Sequence, residues 1–330
     1  MARGGRKGSK AATRCELNGN APPELRTLHV SARWEPSYGR FAERKMPGLP
    51  NPPTAAGTSH FRIQLTYFWR HRRRARLKAP LLFTEWVQHR KLYDRDPRLP
   101  RLADKVRAKL FVAEQLGSHW VTPTLWRGDR LPRTPAWDYP FVVKSRHGCG
   151  HTMVVRDRHD YEEALRRSRR WMHRNYGAWL DEWLYGEIDR GLLVEPFIGD
   201  GSVLPIDYKV FVFGGQARFV QVHLGRGASH RWIVFDLDWR RVSSPSADPD
   251  PPPPVSLGEM LRASQRLAKG FCFVRADFYD VAGQARFGEL TFYPGSGLDP
   301  VDPPRLDLLM GQLWSAALPS WLDPVAHMAA

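Results

Sequence analysis

Four polar side chains near the C-terminus have types and spacing that suit metal and phosphate chemistry. They are Arg275, Asp277, Glu289 and Thr291, within FCFVRADFYDVAGQARFGELTFYPGSG (271–297). The stretch reads as two strands joined at Asp280-Val281-Ala282-Gly283. Successive side chains on a strand take opposite faces. Arg275 and Asp277 therefore share one face of the first strand, while Val274, Ala276 and Phe278 take the other. Glu289 and Thr291 share a face of the second, with Leu290 and Phe292 pointing away. A turn centred on Ala282 sets Glu289 opposite Arg275 and diagonal to Asp277, roughly 7–8 Å away at the backbone. Two buried carboxylates brought together repel unless a cation sits between them. Mg²⁺ suits such a place, because it takes oxygen ligands, typically one or two carboxylates plus phosphate oxygens and water. A solvated face with a cross-strand Arg–Glu pair is the other reading of the same residues.

Further charged residues sit in apolar contexts. Lys144 ends the apolar run Pro140-Phe-Val-Val-Lys144 and precedes Ser-Arg-His-Gly-Cys-Gly-His (145–151), whose Gly148 and Gly150 allow backbone N–H groups to approach a phosphate closely. Lys209 lies inside Ile206-Asp-Tyr-Lys-Val-Phe-Val-Phe213 and shares a face with Asp207. Glu195-Pro196 ends a buried-type strand where the chain changes direction, as a hinge does. Each has an ordinary structural reading: a glycine hairpin, an Asp–Lys pair, a strand end.

The elements that must carry these residues follow from periodicity. Leu82, Phe83, Trp86 and Val87 have helical spacing, and Leu102 to Leu116 marks a helix over 101–117 that carries Lys105 and ends at Gly117. Strands are expected at 140–144 and 152–155, a helix from Tyr161 to Met172 whose pattern continues through Trp179, Trp183 and Leu184, and a strand at 192–195. A hairpin turns at Gly214-Gly215, and another strand spans Arg231–Asp236. SPSADPDPPPPV (244–255) is a loop or flap, Ser256-Leu-Gly-Glu259 opens a helix, and a last helix lies around Leu306–Ala317.

Of the 330 residues, 1–60 are basic, polar and rich in Pro and Gly, and are expected to be a disordered arm. Residues 61–79 join aromatics (Phe61, Tyr67, Phe68, Trp69) to the run RHRRRARLK (70–78), which suits either a solvated helix or one lying on an anionic membrane. The globular region is expected over 80–320, with a tail at 321–330. The net charge of +16 calls for an acidic counterpart such as a nucleotide, an anionic polymer, a lipid headgroup or nucleic acid. No apolar run of spanning length is visible, and the N-terminus has no apolar signal core. Cys15, Cys149 and Cys272 have no paired spacing, which argues against a disulfide framework or zinc site and for a reducing cytoplasm.

Taken in order, these blocks resemble the ATP-grasp superfamily. LADKVRAKLFVAEQLGSHWVTPTL (102–125) looks like the Asp-Lys helix of D-alanine–D-alanine ligases, and VRADFYDVAGQARFGELTFYPGSG is similar to their Arg-x-Asp … Glu-x-Asn-x-x-Pro-Gly pattern. KLYDRDPRLPRLADK (91–105), FVVKSRHGCG (141–150), DYKVFVF (207–213), FDLDW (235–239) and GELTFYPGSG (288–297) resemble the TupA-like subgroup, linked to teichuronopeptide and other polysaccharide synthesis. The resemblance covers roughly residues 80–315. It implies an α/β (α+β) fold in which two sheet-containing subdomains clamp ATP. It implies that Lys105 and Lys144 bind the α- and β-phosphates under a loop containing Gly148 and Gly150. Glu195, Pro196 and Phe197 would line the adenine and hinge, and Asp207 would bind ribose or support Lys209 near the γ-phosphate. Arg275 would hold the transferred phosphoryl group, Asp277 and Glu289 would bind Mg²⁺, and Gly295, Ser296 and Gly297 would face the second substrate. Thr291 stands where the superfamily usually has asparagine; a hydroxyl also ligates Mg²⁺.

The implied chemistry is carboxylate–amine ligation through an acylphosphate. The substrates would be an acidic carbohydrate or other carboxylate and an amine or amino acid, in the cytoplasm or at the inner face of the membrane, with the 244–255 flap excluding water. Two other classes fit less of the chain. One is an ATP-grasp kinase phosphorylating a hydroxyl. The other is a non-catalytic binder of membrane or nucleic acid; residues 1–33 lack the aromatics that would stack on bases, so nucleic acid is disfavoured.

Overall fold

The computed structural model describes residues 56–201, 203–225 and 231–318. The arm expected at 1–60 lies outside the described residues up to 55, and 56–60 open a helix; the 321–330 tail also lies outside them. The helices are α1 (Ala56–His71), α2 (Phe83–Tyr93), α3 (Arg98–Ala103), α4 (Lys105–Leu116), α5 (Arg158–His173), α6 (Leu257–Leu267) and α7 (Pro304–Ala316). The strands are β1 (Trp126–Gly128), β2 (Phe141–Ser145), β3 (Thr152–Val155), β4 (Leu192–Pro196), β5 (Asp207–Phe213), β6 (Gln216–Leu224), β7 (Arg231–Phe235), β8 (Phe273–Val281) and β9 (Gln284–Thr291).

Two antiparallel sheets form, as expected. One has four strands in the order β1-β4-β2-β3, the other five in the order β7-β6-β5-β8-β9. The smaller sheet buries Phe141, Val143, Val155 and Val194 against Tyr161, Ala164 and Trp171 of α5. The larger sheet has its own core, in which Tyr208, Val210, Val212, Val274, Ala276 and Phe278 meet Met260, Ala263 and Leu267 of α6. Period-two alternation leaves Asp207, Lys209, Arg275 and Asp277 on the sheet's other face, where they are buried nonetheless. A third small core joins Ile63 and Tyr67 of α1 to Ala75 and Leu77, so the 61–79 segment packs as part of the folded body.

Three local expectations need correction. The helix expected over 101–117 is broken at Asp104, which is extended (ψ 115°) and caps α4 by accepting from Val106 N at 3.0 Å. Apolar spacing ran through the break because it ignores the preference of Asp for the N-cap. The helical pattern expected to continue through Trp179 and Trp183 instead becomes two short 3-10 turns, interrupted where Gly177 and Asp181 take left-handed φ of 77° and 57°. The β8–β9 register also differs. The two-residue turn Ala282-Gly283 (φ 53° and 78°) is followed by a bulge at Gly288, so Glu289 pairs directly with Asp277, and Thr291 with Arg275. A Cβ at position 288 would lie 3.0 Å from the Asp277 carbonyl oxygen, which is why the bulge takes glycine.

Candidate active site

The larger sheet arranges its polar face in rows. Gln221, Lys209, Asp277 and Glu289 lie side by side on β6, β5, β8 and β9. In the neighbouring row Phe211, Arg275 and Thr291 lie abreast on β5, β8 and β9. Directly paired residues on one face have Cβ atoms about 4.5–5.5 Å apart, close enough for charged groups to bond. Lys209 Nζ lies 2.7 Å from Asp207 and 2.6 Å from Asp277. Arg275 forks onto Asp277 at 2.7 and 2.6 Å and reaches Thr291 Oγ1 at 3.1 Å. Asp277 is 1 % exposed, and bonds from a guanidinium and an ammonium require an acceptor-only carboxylate. Glu289 is held more loosely, with Thr291 Oγ1 at 3.4 Å and Arg275 at 3.9 Å.

The smaller sheet and α4 bring further cations. Glu195 on β4 accepts from Lys144 of β2 at 2.5 Å and from Lys109 of α4 at 2.6 Å. Asp104 receives the Arg146 guanidinium at 2.8 Å from Nε and 2.6 Å from Nη2. That bond and the cap fix the first turn of α4 beside the 145–151 loop, so that Lys105 donates to the Gly148 carbonyl. The loop is drawn tight: Ser145 Oγ lies 3.1 Å from His151 Nδ1, and His151 stacks on Trp171. A Cβ on Gly148 would come within 2.6 Å of His151 Nδ1, and Gly150 has φ of 73°.

The charges act across both sheets. Burial works against the Lys144 ammonium, but Glu195, Tyr279 and Glu289 outweigh it and hold its pKa above the usual value. Tyr279 and Glu289 belong to the larger sheet, so the two sheets face one another here. Burial pushes the Glu289 carboxyl up, yet Lys105, Lys209 and Arg275 more than offset this and leave it below the usual range. Lys209 is raised in the same manner as Lys144, with burial opposed by Asp207 and Asp277. The thiol of Cys149, at the tip of the 145–151 loop, is exposed at its surface but crowded by surrounding protein; that desolvation and the charge of Glu289 push it up to about 11, while Lys105, Lys209 and Arg275 pull it down. The loop tip therefore lies over the β5–β8–β9 cluster.

On the other side of Glu289, the turn after β9 is left-handed at three successive residues: Gly295, Ser296 and Gly297 have φ of 52°, 56° and 63°. Its carbonyls are held from outside. Gln88 and Lys91 of α2 both donate to Ser296 O at 2.8 Å, and Lys91 also reaches Ser296 Oγ at 2.6 Å. His71 of α1 bonds Gly297 O at 3.0 Å and Arg70 donates to Leu298 O at 2.9 Å. Burial lowers Lys91 to about 8, although Glu182 and Asp181 favour its charge.

Of the residues singled out by sequence, Lys105, Lys144, Asp207, Lys209, Arg275, Asp277, Glu289 and Thr291 converge on this region with the 148–150 loop. Pro196 and Phe197 follow Glu195 at the end of β4, and Phe197 N donates to Pro140 O. The Glu195 carboxylate is engaged by two lysines. Lys109, Asp104, Arg146 and Lys91 were missed; Lys109 sits one turn after Lys105 on the same helical face, a spacing the sequence does show. The 244–255 loop expected as a water-excluding flap is tied elsewhere: Pro251 accepts from Trp239, Asp250 pairs with Arg241, and Ser256 at its end bonds Asp280 on the α6 side of β8.

Two sheets holding facing rows of cations and carboxylates are the arrangement of an ATP-grasp fold. The sequence model of the family described as TupA-like ATPgrasp matches residues 85–315, and the chain belongs to that family. No curated protein matches it. Among solved structures it is similar to the D-alanine–D-alanine ligase of Helicobacter pylori (16 % identity, 66 % of this chain, 59 % of that one, TM-score 0.39). It is also similar to the VanG D-Ala:D-Ser ligase of Enterococcus faecalis (14 %, 66 % and 61 %, TM-score 0.40). A third is the ATP-grasp ligase PsnB with its minimal precursor (14 %, 67 % and 62 %, TM-score 0.36). The chain spans about 60 % of the length of these structures.

Proposed function

We propose that this protein is an ATP-dependent carboxylate–amine ligase that works through an acylphosphate, in the cytoplasm, on an acidic carbohydrate or other carboxylate of surface-polymer or cell-envelope synthesis. The observation that carries the reading is the pair of facing charged rows. Lys105 and Lys144 stand on one side, and Lys209, Arg275, Asp277 and Glu289 on the other, with the 148–150 loop between.

The donor set fits Mg²⁺-ATP. Asp277, Glu289 and Thr291 offer only oxygen, which suits a hard cation. Bound there, Mg²⁺ supplies charge neutralisation on the transferring phosphoryl oxygens. The other contributions belong to the chain. Lys105 and Lys144 hold the α- and β-phosphates, and Gly148 and Gly150 let the loop backbone close on them. Glu195, Pro196 and Phe197 mark the adenine end. Lys209 stands by the γ-phosphate, with Asp207 fixing its ammonium. Arg275 holds the transferred group. A substrate carboxylate oxygen attacks the γ-phosphorus, the bond to the β,γ-bridging oxygen breaks, and ADP leaves. The amine nitrogen then attacks the acyl carbon, the acyl C–O bond breaks, and phosphate leaves as the amine proton is lost. Gly295, Ser296 and Gly297 form the wall at which the second substrate stands. Preorganised cations of this kind stabilise charge that builds in the transition state.

The test is product analysis with ATP, Mg²⁺ and mixtures of candidate acids and amines. ADP and phosphate released only when both substrates are present, with a product of amide mass, is the expected result. A phosphorylated hydroxyl compound formed without amine would replace the ligase with a kinase.

A further inference from the structure

α1 has two unlike faces. Arg62, Ile63, Thr66 and Tyr67 are buried on the body. The opposite stripe is Phe61, Leu65, Phe68 and Trp69, spaced as one side of a helix. Phe61 is 67 % exposed, Phe68 49 % and Trp69 44 %. Past the helix end Arg72 is exposed in a left-handed bend, and residues 74–78 then alternate: Ala75 and Leu77 are buried, whereas Arg74, Arg76 and Lys78 are exposed. The bend and the buried anchors thus turn four cations outward beside the aromatic stripe, and residues 70–78 contain no acid.

We propose that this face docks on an anionic lipid bilayer, with Phe61, Phe68 and Trp69 entering the headgroup region and Arg72, Arg74, Arg76 and Lys78 meeting lipid phosphates. Adjacent aromatic and basic surfaces match a surface that is apolar beneath and negative above. A soluble polyanion would engage the four cations and leave the aromatic stripe in water. A second copy of the chain would set like charges against each other. The inner face gives the docking a consequence. α1 pairs Arg62 with Asp181, beside Glu182, and through Arg70 and His71 holds the Gly297 and Leu298 carbonyls. The helix that meets the bilayer thereby carries the wall of the second-substrate site with it.

The experiment is flotation of the full-length protein with phosphatidylcholine vesicles, with and without phosphatidylglycerol. Vesicle binding needs neither ATP nor a substrate, so it stands or falls apart from the ligase reading. The native protein should float only with anionic vesicles and lose binding as salt rises. Replacing Arg72, Arg74, Arg76 and Lys78 with Gln should weaken binding by about fivefold per charge. The triple variant F61S/F68S/W69S leaves the buried face of α1 intact, and its melting curve should show a cooperatively folded protein. It should lose vesicle binding yet keep native retention on soluble polyglutamate. Failure of the native protein to bind anionic vesicles overturns the proposal. So does native-like flotation of either variant, since the lipid contact then lies elsewhere in the chain. If the triple variant instead changes the mass of the protein in solution and the native protein does not float, the stripe is a self-association face.

Discussion

Replacing Asp277 with Asn should lower the stability of the nucleotide-free protein, and the sign is informative. The sequence alone suggests two repelling carboxylates, for which loss of one charge would stabilise the fold. In the structure Asp277 accepts from Lys209 at 2.6 Å and from Arg275 at 2.7 and 2.6 Å. Removing one partner of a buried pair costs about 3–5 kcal/mol when the remaining charge has nowhere to go. Here the loss is smaller for two reasons. Asp207 still holds Lys209 at 2.7 Å and Thr291 still accepts from Arg275. Burial also pushes the Asp277 carboxyl above its ordinary value, so neutralising it recovers some desolvation energy. The expected net loss is about 2 kcal/mol, a fall in melting temperature of about 4–8 °C for a body of this size. Glu289→Gln should change stability by less than about 1 kcal/mol, because its contacts are 3.4 and 3.9 Å long. Thermal melts of both variants without nucleotide, beside Mg²⁺-ATP turnover, make the comparison. Turnover should collapse in both, since each loses a proposed metal ligand. An unchanged or higher melting temperature for Asp277→Asn would refute the view that its charge is neutralised within the cluster.

Lys144→Ala and Lys209→Ala should each weaken Mg²⁺-ATP binding by about 1.5–3 kcal/mol in titration calorimetry; native affinity in both would remove the phosphate assignment. Asp104→Ala removes both the α4 cap and the Arg146 partner, and should cost about 2–3 kcal/mol in urea unfolding; a loss under 1 kcal/mol would show that Arg146 finds another acceptor. Burial, with His147 and Lys105 nearby, lowers the His151 pKa to about 4, so this ring stays neutral in the fold but takes up a proton in the unfolded chain below its ordinary value of 6.5. Stability should therefore fall, by on the order of 2 kcal/mol, as pH drops from 6.5 towards 4. His151→Gln should reduce that slope without abolishing it, because burial also lowers His71 to about 4; an unchanged slope would assign it to other groups.

Much of the site was legible because strand periodicity is strict. Arg275 with Asp277, Asp207 with Lys209, and Glu289 with Thr291 could be put on shared faces from alternation alone. Alternation does not report register. The slip has two parts: the turn centres between Ala282 and Gly283 rather than on Ala282, and Gly288 adds a residue; each shifts the pairing by one, and together they move Glu289 from opposite Arg275 to opposite Asp277, in one row with it. The break at Asp104 was invisible to apolar spacing for a related reason: Leu102, Val106 and Leu110 keep helical intervals across a residue that is itself extended. Contacts distant in sequence were out of reach altogether. Nothing near Lys91 or Ser296 announces that they meet across 205 positions, and nothing near Glu195 says that two lysines from different elements share its carboxylate.

Those shared carboxylates bear on how the cluster would take up the triphosphate proposed for it. Lys144 and Lys109 lean on Glu195, Lys209 on Asp207 and Asp277, and Arg275 on Asp277 and Thr291. Each cation is already aimed and most of its desolvation is already met by an anion, so a phosphate oxygen need only compete as an acceptor. Exchange of one charge-assisted bond for another changes the energy little per bond. Affinity must then come from the places where the triphosphate adds bonds without displacing any. Two such places are visible: Lys105, held by a neutral carbonyl of Gly148, and the loop backbone around Gly150. On the proposed reading, Lys105→Ala should therefore weaken Mg²⁺-ATP binding in titration calorimetry more than Lys109→Ala, since burial has already lowered the Lys109 pKa and its partner Glu195 is fully engaged; an equal or larger loss for Lys109→Ala would refute this ordering.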